Sequence, residues 1–498
     1  MFISFQLSDH VPQDNLYRRI LGLIDFDYLY KLTAPYYGKE GRKSIDPVVF
    51  MKLMLVGYLE NINSDRRIIE VCRLRMDILF FLGYGLGETL PWHSTLSRTR
   101  QLYSQEVFTA VFQQVLSLCM DKGMLSGRRQ AVDGFYIKAN ASLDNMMRRD
   151  ILEDAQRYAA ELEANTEGFS PRTVEMPRPR YTPVPMGRTC NDTHCNPRDP
   201  DARMSIKPGK AMSLNYLGEV SVDTSSHVIT HIQAFTAEKR DSQCLVEVVA
   251  RTRENLLEGG LDIAEVLADT GFSGGQALRG IQEMGITGYI PNRPQFRAER
   301  EGFEYDQAGD FFICAGNRKL PYACATGCNA LRYASKKSDC HGCALQGRCS
   351  AYKPTEGRAV INVSRDREYY MQMYGRMRTR KAARMMKLRQ STVEPVIGSL
   401  VSFFGMKKVN TIGLVQANKC ITMSGTAYNL KKLARYSRNW PLKAAALSKA
   451  IKKGTHGALQ ELVLPFPHCL HASGFRRCLL PVPVQVEKSY KSGVWTIG

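Results

Sequence analysis

The 498 residues carry 68 Lys+Arg against 48 Asp+Glu, a formal +20, with 44% hydrophobic and 23% charged residues. That length predicts about three domains, and the composition is that of a folded globular protein rather than a disordered chain. No apolar run approaches the roughly 18 residues of a membrane span and Met1–Asp9 lacks the pattern of a secretory signal, so the charge surplus points to a polyanion, nucleic acid before an anionic membrane.

Residues 1–125 read as all-helical. Pro47–Leu59 is apolar at helical spacing, with Asp46 placed as N-cap and Pro47 at the first helical position. Arg66–Phe81 predicts a second helix, and an apolar helix follows through Met120. In Leu90–Arg100, Ser94 or Thr95 can cap a helix presenting Arg98 and Arg100, which suits a helix-turn-helix DNA reader. A plain helical bundle fits the same pattern.

From residue 130 the order becomes mixed: a strand over 130–137, a charged helix over Met146–Ala164, and an extended insert over Phe169–Pro208 with eight prolines. A hairpin follows (Asn215–Asp223 and His227–Phe235), then a helix over Cys244–Leu257 and a short strand at Glu265–Ala268. A helix over Gly274–Met284, a strand at Gly288–Pro291 and a basic helical stretch over 366–405 complete the pattern.

Three acidic residues stand where their neighbours do not explain them. Asp133 lies inside the apolar stretch QAVDGFYIKANAS, where a buried unpaired carboxylate costs several kcal/mol. Asp269 follows the apolar Val266-Leu-Ala and precedes a glycine-rich turn, at a strand end of the kind where α/β sheets bind ligands. Glu394 precedes Pro395 in an otherwise apolar helical stretch. Separately they read as a turn, a helix cap and a solvated face. Together they read as oxygen ligands for a hard divalent cation such as Mg²⁺, which also makes an ionised Asp133 tolerable in its strand. Two such ions about 4 Å apart serve in-line phosphoryl displacement.

Arg376, Arg378, Arg380, Lys381, Arg384, Lys387 and Arg389 put seven positive charges and no negative one just before Glu394, as expected for phosphate contact. The 14 cysteines are expected as thiols or metal ligands in a reducing compartment. Cys340-x2-Cys343-x5-Cys349 is a zinc-like spacing that needs a fourth ligand. Cys314 can supply it, or Cys324 and Cys328 can pair with Cys340 and Cys343 instead.

Several stretches, in order, resemble bacterial insertion-sequence transposases of the DDE class. They are Ser44-Ile-Asp-Pro with Leu53–Leu59, Ser94–Arg100, Val132-Asp-Gly with Lys138–Ser142, and Asp199–Met204 with Lys207–Lys210. Ala268–Ser273, Arg389–Gly398 and Ala427–Leu433 complete the set. The resemblance spans roughly residues 1–435. It implies a mixed α/β (α+β) chain: an all-α DNA-binding domain over 1–125 and a ribonuclease H-like catalytic domain over 126–435. Inserts are expected near 143–210 and 300–350, with a tail of no assigned role over 436–498.

It further implies that Asp133, Asp269 and Glu394 bind two Mg²⁺ ions, with Mn²⁺ able to substitute, and that Arg389 fills the basic position before the Glu. It favours Cys314, Cys340, Cys343 and Cys349 as the zinc set. The expected partners are double-stranded DNA at the element's inverted repeats and at the target, with a homodimer or larger assembly, no membrane, and a cytoplasmic, nucleoid-associated setting. Met386 stands where these enzymes place a tyrosine, and Val401 and its neighbours lack their usual lysine, although Lys407 and Lys408 follow. A decayed DNA-binding protein and a nuclease of the same fold are the rival readings.

Overall fold

Eight helices come first in a computed structural model that describes residues 6–38, 44–154, 157, 189–206, 211–327 and 329–436. They are α1 (Leu7–His10), α2 (Leu16–Leu21), α3 (Tyr28–Thr33), α4 (Pro47–Leu59), α5 (Asp65–Leu74), α6 (Met76–Leu82), α7 (His93–Leu102) and α8 (Gln105–Asp121). Asp46 caps α4 as expected, accepting from the N–H groups of Val48 and Val49 at 2.8 and 3.0 Å. Nearly all of α4 is buried, so it is the centre of this bundle rather than an amphipathic surface helix.

The single helix expected over Arg66–Phe81 is two. Arg75 takes extended backbone between α5 and α6, where its guanidinium forks onto Asp77 at 2.8 and 2.7 Å and reaches Glu60 at 3.1 Å. Those charge-assisted bonds hold a break that the unbroken apolar period conceals.

The central sheet contains β1 (Arg129–Lys138), β2 (Arg203–Ser205), β3 (Ser213–Asp223), β4 (Ile229–Thr236), β5 (Glu265–Leu267) and β6 (Thr287–Tyr289). Its order is β2-β3-β1-β5-β6, with β4 also on β3. β1, β3 and β4 pair antiparallel, whereas β5 joins β1 in parallel and β6 joins β5 in parallel. An antiparallel hairpin followed by parallel strands reached through helices is the mixed layout expected of a ribonuclease H-like core. The helices are α9 (Asp241–Leu257) and α10 (Gly275–Glu283) between β4 and β6, then α11 (Arg367–Met377), α12 (Arg380–Phe403) and α13 (Leu414–Arg435). α13 packs on α8 and α4 on one side and on β4 on the other, so its buried residues run around the helix. A Cβ on its Gly425 would stand 2.9 Å from Ile232 of β4, so glycine permits that close approach.

The insert near 300–350 is a second, antiparallel sheet that the cysteine spacing gave no hint of. It contains β7 (Phe303–Asp306), β8 (Phe311–Cys314), β9 (Lys319–Thr326), β10 (Ala330–Ala334), β11 (Tyr352–Lys353) and β12 (Arg358–Ser364), in the order β11-β12-β10-β9-β8-β7. Phe312, Leu320, Tyr333, Ala359 and Ile361 form its core, against which Cys314, Cys340 and Cys349 pack. All of its described cysteines are free thiols. Among the described residues no three His, Cys, Asp or Glu side chains gather to hold a metal ion. The zinc set of Cys314, Cys340, Cys343 and Cys349 therefore finds no support. The apolar core already does the bracing that a zinc ion was expected to provide, and Cys340 instead lies 3.2 Å from the Ser335 hydroxyl.

The insert near 143–210 is described only in part. Met147–Arg148 pair with His194–Cys195, and residues 149–154 are helical. The remainder of the helix expected to Ala164, residues 169–188 of the proline-rich stretch, Lys207–Lys210, Cys328 and the tail beyond 436 lie outside the described residues.

Candidate active site

Asp133 sits in the middle of β1, opposite Val220 of β3. No turn occurs there: the Asp-Gly pair is continuous strand, and Oδ1 of Asp133 accepts from the N–H of Gly134 at 2.9 Å. The parallel pairing of Ala131 with Leu267 brings the end of β5 level with Asp133, so Asp269, two residues past that end, stands beside it. Asp269 does cap a turn, the 3-10 helix Thr270–Phe272, with Oδ1 accepting from the Gly271 N–H at 2.7 Å. The helix-cap reading of Asp269 is thus met by this turn.

Glu394 lies on α12, which packs across β1. Arg389, one turn earlier and buried, donates from Nη1 to Asp133 Oδ2 at 2.9 Å and from Nη2 to Glu394 Oε1 at 3.3 Å. One guanidinium thus ties the first and third carboxylates, and the second acts on the first through its charge. Burial is the largest influence on Asp133 and raises its pKa. Arg389 pulls the other way, and the Asp269 charge adds to the rise. Glu394 is 55% exposed on its side chain, against 17% for Asp133.

The carboxylates fit a hard cation in chemistry: all donors are oxygen, they come from three separate elements, and their surplus negative charge faces one buried arginine. As placed, Arg389 lies between Asp133 and Glu394, and no three carboxylates converge on one point. Mg²⁺ is commonly held by one or two carboxylates with waters and substrate phosphate, so three convergent carboxylates are not a requirement.

The basic residues divide. Arg98, Arg378, Arg380, Arg384 and Lys387 are exposed. Arg376 is committed to the Gly288 carbonyl at 2.8 Å, and Lys381 to Glu265 at 2.6 Å. Arg100 is 3% exposed and pairs with Asp65 at 2.5 Å, so it braces α7 against α5 instead of presenting to a ligand. Met386 packs with Met377, Met385 and Leu388 against the buried Leu267, Tyr289 and Ala382, which accounts for an apolar residue there.

Two further carboxylates went unread in the sequence. Glu219 of β3, opposite Gly134, is fully buried, and Asp241 opens α9 above it. Glu219 in Asn215–Asp223 is, like Asp133, an acid inside an apolar strand. Asp241, at a helix start, looks like an ordinary N-terminal acid.

A family model described as "Transposase domain (DUF772)" matches residues 5–102, and one described as "Transposase DDE domain" matches residues 313–434, a span that contains Arg389 and Glu394. No curated protein matches the chain. Among solved structures it is similar to the piggyBac transposase synaptic complex with hairpin DNA, determined by cryo-EM, at a TM-score of 0.30 and 10% identity. That match covers 84% of this chain and 74% of that one, a likeness too slight to carry an argument. A transposase domain model thus matches the helical region and a transposase DDE domain model matches the stretch that ends on α13, and both support a DNA transposase.

Proposed function

We propose that Asp133, Asp269 and Glu394 are the catalytic carboxylates and bind Mg²⁺, two ions in the working complex, with Mn²⁺ able to substitute. The observation that carries this reading is the Arg389 fork joining Asp133 to Glu394, with Asp269 brought alongside by the parallel β1–β5 pairing. When bound, the ions supply positive charge at the attacking and leaving oxygens of phosphoryl transfer. The chain cuts a DNA strand at the element's end and joins the freed 3′-hydroxyl to target DNA.

The chain's own residues then do the positioning. β1 and the turn after β5 fix two carboxylates on rigid backbone, and α12 carries the third. The 55% exposure of Glu394 leaves its carboxylate open to the ions and to DNA while Arg389 holds it toward Asp133. Exposed Arg380, Arg384 and Lys387 line the approach along α12, and Arg98 serves the helical region. At the far end of β1, Lys138, Arg198 and Lys408 line a cavity of about 540 Å³ that suits a sugar-phosphate stretch. Paired element ends call for at least two copies of the chain, acting on chromosomal DNA at the nucleoid.

The test is incubation with Mg²⁺ and a DNA fragment bearing the element's terminal repeats. Wild type is expected to cleave and join, and Asp269→Ala to do neither. Equal inertness of the two proteins on that substrate would refute the reading.

A further inference from the structure

The loop after β6, residues 290–300, fastens the turn of Asp269 to α11. Arg293 donates from Nη2 to the Gly271 carbonyl at 3.3 Å, and Gly271 gives its N–H to Asp269 at 2.7 Å. Asn292 donates from Nδ2 to the Tyr370 carbonyl on α11 at 2.8 Å. Between these anchors and the loop's end, Phe296 lies on the helix. Its ring stacks on Tyr370 with centroids 5.3 Å apart and planes 22° apart, and it meets Tyr374 at 6.3 Å. Tyr370, Tyr374 and Arg378 recur every four residues and so share one face. There the Arg378 guanidinium lies 5.4 Å from the centre of the Tyr374 ring.

An aromatic cluster built only for packing is closed over by apolar side chains. Here Phe296, Tyr370 and Tyr374 are each half-buried, and Pro294, Gln295, Arg297 and Arg378 around them are exposed. Among the described residues Phe296 meets rings from α11 alone, so its ring contacts come from one side. The guanidinium groups of Arg293 and Arg297 rest on main-chain carbonyls and not on carboxylates, which leaves their charge uncancelled. Positive charge by itself serves the phosphates of a duplex, whose bases are already stacked on one another. Aromatic faces set among the charges serve bases that are not.

We propose that Phe296, backed by Tyr370 and Tyr374 and flanked by Arg293, Arg297 and Arg378, binds unpaired single-stranded DNA. A base stacks on Phe296 and the neighbouring phosphates lie on the arginines, so the site accepts any sequence. The strand it takes is one frayed from the duplex beside Asp269, because the same loop is fastened to that turn. The identity of that strand rests on the cleavage role proposed for Asp269, but the binding of single-stranded DNA does not.

The test is binding of the full chain to a labelled oligothymidine of about 12 nucleotides and to a blunt duplex, in EDTA so that no cleavage takes part. Phe296→Ala is expected to lose about 10-fold in affinity for oligothymidine and to stay within about twofold of wild type on the duplex. Phe296→Trp is expected to keep the affinity, with its added fluorescence quenched by the oligonucleotide. That signal reads stacking directly and does not depend on how well Phe296→Ala folds. Unchanged oligothymidine affinity in Phe296→Ala, an equal loss on both DNAs, or a Phe296→Trp signal that the oligonucleotide leaves unaltered overturns the proposal. So does a Phe296→Ala that changes oligomeric state with single-strand binding intact, which would make this face a contact between copies of the chain. A wild type that binds oligothymidine through Phe296 yet cuts no terminal-repeat DNA upholds the single-strand site and refutes the catalytic one.

Discussion

Arg389 donates from Nη1 to Oδ2 of Asp133 at 2.9 Å, across 256 positions of sequence. The same guanidinium reaches Glu394 at 3.3 Å, so its planar fork sets how the first and third acids face one another. Lysine keeps the charge but reaches one partner as a point donor. Arg389→Lys is therefore expected to fold and to lower strand cleavage by about 10- to 100-fold. The measurement is single-turnover cleavage at saturating DNA, and near wild-type cleavage would show that the fork has no part in placing Glu394.

Two arginines on α7, two residues apart, should behave in opposite ways. Arg100 is buried against Asp65, so Arg100→Ala leaves a carboxylate without its partner and is expected to cost about 3–5 kcal/mol of stability. Arg98 is exposed, and Arg98→Ala is expected to leave the melting temperature unchanged. Thermal melts of both variants decide it, and similar melting temperatures would contradict the structural role given to Arg100.

The exposed face of α12 makes a claim about salt. Replacing Arg380, Arg384 and Lys387 with alanine should weaken DNA binding on any sequence. The slope of log K against log salt should become less steep by about three. Unchanged slope with weaker binding would mean that these residues act through folding and not through phosphates.

His231 of β4 supplies a pH dependence away from the site. Burial pushes its pKa down from 6.5 to about 4, only partly offset by contact with Gln233. The ring is neutral in the folded chain, whereas the unfolded chain takes up a proton below 6.5. The stability it contributes is thus full above 6.5 and is lost as the pH falls toward 4. That loss is about 3 kcal/mol at most, reduced by the ring's partial exposure. Denaturant unfolding of wild type and His231→Gln between pH 7 and 4 should show the wild type falling more steeply, and parallel curves would remove the assignment.

Features with a strong local cause were readable in the sequence. The Asp46–Pro47 start of α4, the strand through Asp133 and the hairpin β3–β4 follow from capping chemistry and periodicity. The three acids stood out because polar residues in apolar runs demand an explanation. What escaped is set by contacts distant in sequence. The break at Arg75 depends on Glu60, the burial of Arg100 on Asp65, and the closeness of Glu219 to Asp241 on a glycine in another strand. The second sheet escaped because Phe312, Leu320 and Ile361 become a core only when strands distant in sequence pair.

The catalytic role proposed for the strand-borne carboxylate of Asp133 is open to direct measurement. Asp133→Asn keeps the shape and the bond to Arg389 at one oxygen but removes the charge. Mg²⁺-dependent cleavage and strand transfer on terminal-repeat DNA, measured beside binding of the same DNA, tests this most directly. The prediction is wild-type DNA affinity and salt slope with no cut or joined product. An Asp133→Asn protein that still cleaves at a comparable rate would contradict it.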